Sequence, residues 1–379
     1  MPGLRADIDP QGLLEFSVVF TDRSLNHMSA AFQGVMRDIH AILCEAYGAS
    51  RAVVVPGGGT YAMEAVARQF AAGQKVMVIR NGFFSYRWTQ IFEAGSIPAE
   101  EIVMKARRQG NAVTSPFAPA PIDEVTARIR AERPAVLFAP HVETASGMIL
   151  PDDYLRALAE AVHEVGGLFV LDCVASGCVW VDMAAMGVDV LISAPQKGWS
   201  ASPCAGLVMM NDAALERCRA AKSTSFAADL NKWLTIMEAY LNGGHAYHAT
   251  MPTDALRGLR DAMLEAKAVG LDRLCDAQWE QGRAVRAMLA ERGVASVAAK
   301  GFEAPGVVVA FTDDPEIQNG KRFAALGLQI AAGVPLMVDE GPEYRTFRLG
   351  LFGLDKLEDV PASLARLEAA FDQVFPRAT

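Results

Sequence analysis

The sequence predicts an α/β fold built on a mostly parallel sheet of about seven strands. Three observations point there: short runs rich in apolar and β-branched residues, helix-periodic segments between them, and apolar character at nearly every position of each run. The runs are AVVV (52–55), KVMVI (75–79), EIVMKA (101–106), AVLFA (135–139), GLFVL (167–171), VDVLIS (188–193) and GLVMM (206–210). A strand without a polar face belongs to a sheet covered on both sides, and strand–helix alternation is how such a sheet is wired. The segments YAMEAVARQFAAG and PDDYLRALAEAVHEVGG carry the 3.6-residue period. The second opens on Pro151 and two aspartates and stops at Gly166-Gly167, a helix start and a helix stop. Only a short loop separates the last two runs, which allows one antiparallel strand.

Beyond residue 250 the pattern changes. A long helical stretch (254–292) leads into GVVVAF, an AALGLQIA region, RTFRLGLFG and a final helix, VPASLARLEAAFDQVF. The expected organisation is a large domain over 1–255, with an N-terminal entrance segment, and a small α+β domain over 256–379 joined to it by the long helix.

Composition excludes several classes. The chain has 379 residues, 51% of them apolar, and a formal charge of −9 from 35 Lys+Arg against 44 Asp+Glu. No basic run marks a nucleic-acid or lipid partner. No apolar stretch approaches the ~20 residues of a membrane span, and the first residues lack a signal-peptide plan. The six cysteines form no CxxC pair and no metal-ligand spacing, which suits buried thiols in a reducing cytoplasm.

Three features carry chemistry. The first strand runs into Pro56-Gly57-Gly58-Gly59-Thr60 and then a helix, so backbone N–H groups, the helix start and the Thr60 hydroxyl make a phosphate cradle. Taken alone it reads equally well as a tight turn, and it is neither GxGxxG nor GxxxxGKS. Asp172 ends the strand GLFVL, at the strand end where α/β sheets bind ligands. Lys197 follows VDVLIS in Ala194-Pro195-Gln196-Lys197-Gly198-Trp199, where apolar neighbours would lower its amine pKa and make it a nucleophile. A lone loop lysine or turn aspartate is usually plain surface; three such features in order on successive strand ends are not.

In these motifs the sequence resembles the class V aminotransferases, pyridoxal-phosphate (PLP) enzymes of fold type I, and among them the alanine–glyoxylate and serine–glyoxylate/pyruvate aminotransferases. The resemblance runs from about residue 20 to the C-terminus. It implies that GGGTYAMEA places Gly58, Gly59 and Thr60 on the cofactor phosphate and that NGFFSYRW (81–88) stacks Phe84 on the pyridine ring. It implies that HVETASG (141–147) brings Thr144 to the ring hydroxyl, and that LDCVASG holds the pyridinium with Asp172 and packs Val174 on the ring. In SAPQKGW it gives Lys197 the Schiff base and Gln196 the phosphate. It implies that YHAT (247–250) lends Tyr247 and Thr250 to the phosphate of a neighbouring subunit, hence a homodimer with shared sites. FRLGLFG sets Arg348 on the substrate α-carboxylate, a bidentate task for a guanidinium.

Two segments depart from the family: Ser202-Pro203-Cys204-Ala205-Gly206 stands for Pro-Pro-Gly, and EFSVVFTDRSLNHMS replaces the N-terminal Pro-Gly-Pro region that shapes the substrate pocket. Arg80 and His141 also fall near the inferred site, as readers of a polar substrate group or as structural residues. The expected activity is amino transfer from a small amino acid, of alanine or serine type, to a 2-oxo acid such as glyoxylate or pyruvate. Lyase or cysteine-desulfurase chemistry is disfavoured by Phe84 and Gln196, where those relatives hold histidines; donors bearing phosphonate or phosphate stay open. The intact Lys197, Asp172 and Arg348 set argues against a non-enzymatic binding module.

Overall fold

In the computed structural model, which describes residues 5 and 7–376, all seven apolar runs become strands of one sheet. They are β1 (Arg51–Pro56), β2 (Lys75–Arg80), β3 (Glu100–Lys105), β4 (Val136–Pro140), β5 (Leu168–Asp172), β6 (Val190–Ser193) and β7 (Ala205–Met210). The order across the sheet is β1-β7-β6-β5-β4-β2-β3. Parallel pairing links β6, β5, β4, β2 and β3, with Ile192 and Pro140 both in register with Asp172. The one reversed strand is β7, antiparallel to both β6 and β1. This is the strand that the short preceding loop allowed.

The sheet interior is as apolar as the runs require: Val53, Val78, Phe138, Phe169, Leu191 and Val208 are completely buried. Helices cover it. Of the longer ones, α1 (Ala30–Tyr47), α2 (Gly59–Phe70), α3 (Phe83–Gly95), α4 (Ile122–Glu132) and α5 (Asp152–Glu164) precede or alternate with the strands. β3, at the edge, is only half-buried.

The stretch expected as one long helix is two, α6 (Thr253–Val269) and α7 (Leu271–Ala290). Gly270 separates them at φ +104°, a conformation that side-chain-bearing residues avoid, so the chain turns there. Leu256, Leu259, Met263 and Leu274 pack into the core of the seven-stranded sheet, whereas Val285 and Leu289 pack with Phe323, Phe347 and Phe371. That second cluster sits under a three-stranded antiparallel sheet of β8 (Val307–Phe311), β9 (Ala331–Ala332) and β10 (Thr346–Gly350) and the last helix, α8 (Val360–Val374). Arg348 lies on the central strand of that sheet, opposite Val309 and Ala331.

Candidate active site

Parallel strands end together, so the loops that follow them meet. Gly59 and Thr60 follow β1, Phe84 follows β2, Thr144 follows β4, Asp172 ends β5 and Lys197 follows β6. All six, with Val174 and Gln196, line one cleft of about 650 Å³, its mouth included. A ligand-binding crevice beyond the C-terminal ends of parallel strands is the expected place in an open α/β sheet.

The α2 end of the cleft is built for an anion. Gly58 is the N-cap and contributes no side-chain cap, so the first N–H groups of α2 are not used by one. Space is tight: a Cβ on Gly59 would meet Val174 Cγ2 at 2.8 Å, so only glycine lets this backbone come so close. Gly57, at φ +125°, makes the turn into the helix.

At the centre stand the carboxylate and the amine. Asp172 is buried, and among the described residues its carboxylate accepts one hydrogen bond, from Val174 N to Oδ1 at 2.9 Å. Burial pushes its pKa up to about 6, against the pull of the Val174 amide and Lys197. Lys197 is part-buried in the cleft, and desolvation pushes its amine down to about 8 despite Asp172 and Glu143. Its Nζ lies 5.5 Å from the centroid of the Phe352 ring. The loop carrying it is fixed on both sides. Trp199 is completely buried against Trp180, ring centroids 4.5 Å apart, and a Cβ on Gly198 would strike the Gly177 carbonyl at 2.1 Å.

Two residues that sequence reasoning passed over belong here. Glu143, completely buried, accepts hydrogen bonds from Phe84 N (3.2 Å), Ser85 N (2.8 Å), Ser85 Oγ (2.7 Å) and Ala145 N (2.9 Å). A carboxylate at the start of α3 meets free N–H groups and the positive end of the helix, and so fixes Phe84. The signal was a glutamate inside the apolar HVETASG segment. Arg87 also lines the cleft; its Nη1 donates to Thr60 Oγ1 at 3.0 Å, and its guanidinium lies 5.1 Å from the Phe84 centroid. It stands three residues after Phe84, on the same face of α3.

The remaining expected residues lie outside the cleft lining. Arg348, on the three-stranded sheet, has its guanidinium 5.5 Å from the Phe84 centroid and its Nε donating to Ala332 O at 2.8 Å. Tyr247 and Thr250 are hydrogen-bonded to each other (3.0 Å) on a segment where Tyr247 is 55% exposed, and neither lines this chain's own cleft. Arg80 and His141 are buried and do not line the cleft. Arg80 is buried, donates to Thr89 Oγ1 at 2.6 Å and stacks on Tyr86. His141 is buried, paired with Ser176 Oγ at 2.7 Å and pushed down by burial to about 4, hence neutral.

The donor set fits PLP. A buried aspartate with an oxygen to spare suits a protonated ring nitrogen, a lysine of depressed pKa suits a carbonyl carbon, and an uncapped helix start suits a phosphate. Comparison with known proteins agrees. The family model for class V aminotransferases matches residues 14–308. Alanine–glyoxylate aminotransferase 1 of Saccharomyces cerevisiae is 27% identical over 357 residues, covering 87% of this chain and 86% of the yeast protein. The 2-aminoethylphosphonate–pyruvate transaminase of Paraburkholderia phymatum is 27% identical over 362 residues, covering 91% and 89%. Among solved structures, the alanine–glyoxylate aminotransferase of Nostoc sp. superposes with a TM-score of 0.77 at 24% identity, covering 92% of this chain and 89% of that one. From fold, site chemistry and matched length together, the chain belongs to the class V aminotransferases, PLP-dependent transaminases of fold type I.

Proposed function

We propose that this transaminase moves an amino group from a small amino acid, of alanine or serine type, to a 2-oxo acid such as glyoxylate or pyruvate, with Lys197 and Asp172 as its catalytic residues. The observation that carries the reading is the Lys197–Asp172 pair, two oppositely shifted groups in one cleft at neighbouring strand ends. The alanine–glyoxylate relative supports the donor class, and both relatives support a 2-oxo acid acceptor, while the aminoethylphosphonate relative supports the alternative donor.

Each residue has a physical task. Bound PLP supplies an electron sink for the substrate's α-carbon. Asp172 keeps a proton on the pyridine nitrogen through a buried, charge-assisted hydrogen bond. Lys197, uncharged in a large fraction near its pKa, holds the cofactor and then moves the proton taken from the α-carbon. Phe84 stacks on the ring and Thr144 bonds its hydroxyl, with Val174 also packing on the ring. Gly58, Gly59, Thr60 and Gln196 bind the phosphate. Arg348 holds the α-carboxylate, so that the α-C–H bond is oriented for transfer. Against a desulfurase, Cys275 lies on α7 and its thiol is pushed up by burial, which disfavours the thiolate.

The same proposal includes a homodimer in which Tyr247 and Thr250 serve the partner's phosphate. Leu13, just before the divergent entrance segment, Phe16 and Val18 within it, and Phe226, beside the Tyr247 segment, are all more than three-quarters exposed, an apolar surface that a second copy would cover. It includes a division into 1–255 and 256–379 bridged by α6 and α7, and, with six free cysteines, a reducing cytoplasmic location. The test is a half-reaction screen: the holoprotein's visible band is followed with alanine, serine and 2-aminoethylphosphonate. Conversion by alanine or serine is expected; conversion by the phosphonate alone would transfer the donor assignment to that class.

A further inference from the structure

The phosphate of PLP carries close to two negative charges at neutral pH. Every donor assigned to it above is neutral: the backbone of Gly58 and Gly59, the Thr60 hydroxyl, the Gln196 amide, and Tyr247 and Thr250 of a partner. The start of α2 adds the equivalent of roughly half a charge. Charge balance at that end of the cleft therefore calls for a cation. Of the residues lining the cleft only Lys197 and Arg87 are basic, and Lys197 is committed to the ring end.

Arg87 is placed for the task. It comes from α3, beside the cleft, and bonds Thr60 Oγ1, a hydroxyl in the first turn of α2. Among the described residues that is its guanidinium's only hydrogen bond, and no carboxylate lies within ion-pair distance of it, although its charge is felt by Asp172, which lines the same cleft. An arginine that merely braced the fold would be expected to find an acidic partner, as Arg107 finds Glu124. Arg87 and Arg348 both lie against the Phe84 ring, at 5.1 and 5.5 Å from its centroid. The ring that stacks on the cofactor thus has one guanidinium reaching from Thr60 and another from the small sheet. Two anions, one cofactor phosphate and one substrate carboxylate, match two guanidinium groups.

We propose that Arg87 is a cofactor-binding residue, its guanidinium pairing with the PLP phosphate at the start of α2. The inference rests on the cradle and on Lys197 as read above, and a comparison of PLP with pyridoxal, which lacks the phosphate, separates them. Apoprotein would be titrated with each ligand by absorbance, for wild type, Arg87→Met and Arg87→Lys. Loss of a charge-assisted contact should cut the preference for PLP over pyridoxal by roughly 10- to 100-fold in Arg87→Met. Pyridoxal binding should stay unchanged, and Arg87→Lys should recover part of the preference. If Arg87→Met weakens both ligands equally, the arginine only shapes Phe84 and the proposal falls. It also falls if the preference is kept and only turnover of 2-aminoethylphosphonate is lost, which would give Arg87 to the substrate. Wild-type apoprotein that formed no borohydride-reducible band with either ligand would instead refute the Lys197 reading, and this inference with it.

Discussion

The two halves of the cleft are built in different ways. The half that handles the cofactor comes from loops leaving β1, β2, β4, β5 and β6, so a single sheet fixes the relative positions of Thr60, Phe84, Thr144, Asp172 and Lys197. Beside it stands Arg348, proposed above to read the substrate carboxylate, which arrives from a separate three-stranded sheet with its own core and lies against the Phe84 ring. The difference teaches where chemistry and specificity reside. Strand ends hold the two groups whose pKa values are shifted, while Arg348 comes from the second sheet.

Breaking the first half should have the largest effect. Lys197→Ala removes the covalent anchor and the proton carrier together, and should lower kcat by on the order of 10⁴-fold or more in steady-state assays. Asp172→Asn keeps the shape and removes the charge that holds the ring proton; a fall in kcat of roughly 10²–10³-fold is expected. An effect of similar size on KM, with kcat nearly unchanged, would move Asp172 from chemistry to binding.

Breaking the second half should act differently. Arg348→Gln should raise KM for both amino acid and 2-oxo acid by roughly 10- to 100-fold, the worth of a charge-assisted hydrogen bond, with less change in PLP binding. Equal loss of PLP binding would mean that the halves are not separable. The link between them depends on Glu143. Glu143→Gln would set an amide donor against backbone N–H donors in a buried place, and should destabilise the protein by about 1–3 kcal/mol in chemical denaturation.

The last effect is one of pH. With Lys197 pushed down to about 8, the neutral amine fraction grows about tenfold per pH unit below that value. Asp172, pushed up to about 6, becomes charged above it. Both signs favour cofactor capture at higher pH, so the rate of PLP uptake by apoprotein should rise from pH 6 to 8 and then level. Stopped-flow absorbance checks this, and a rate falling over the same interval would reverse the assigned protonation states.

The cofactor half was legible in the sequence because it is local. Apolar runs announce strands, and a residue at a run's end, such as Asp172, stands at the strand's C-terminal end by construction. Even the reversed strand β7 followed from a loop too short for a helical crossover. What escaped depends on contacts across the fold. Glu143 matters only because α3 brings its N–H groups to it, and Arg87 because α2 and α3 converge at Thr60. The break at Gly270 was hidden because the periodic pattern continues on both sides, and one glycine inside it does not announce a turn. Tyr247 and Thr250 lie away from this chain's cleft lining, so their proposed role rests on the resemblance of YHAT and not on contacts within one chain.

One experiment addresses Lys197 directly. Holoprotein reduced with labelled borohydride should lose its visible band, and peptide mapping should find the label on Lys197. Label on another lysine, or a reducible band that survives in Lys197→Ala, would contradict the site built here.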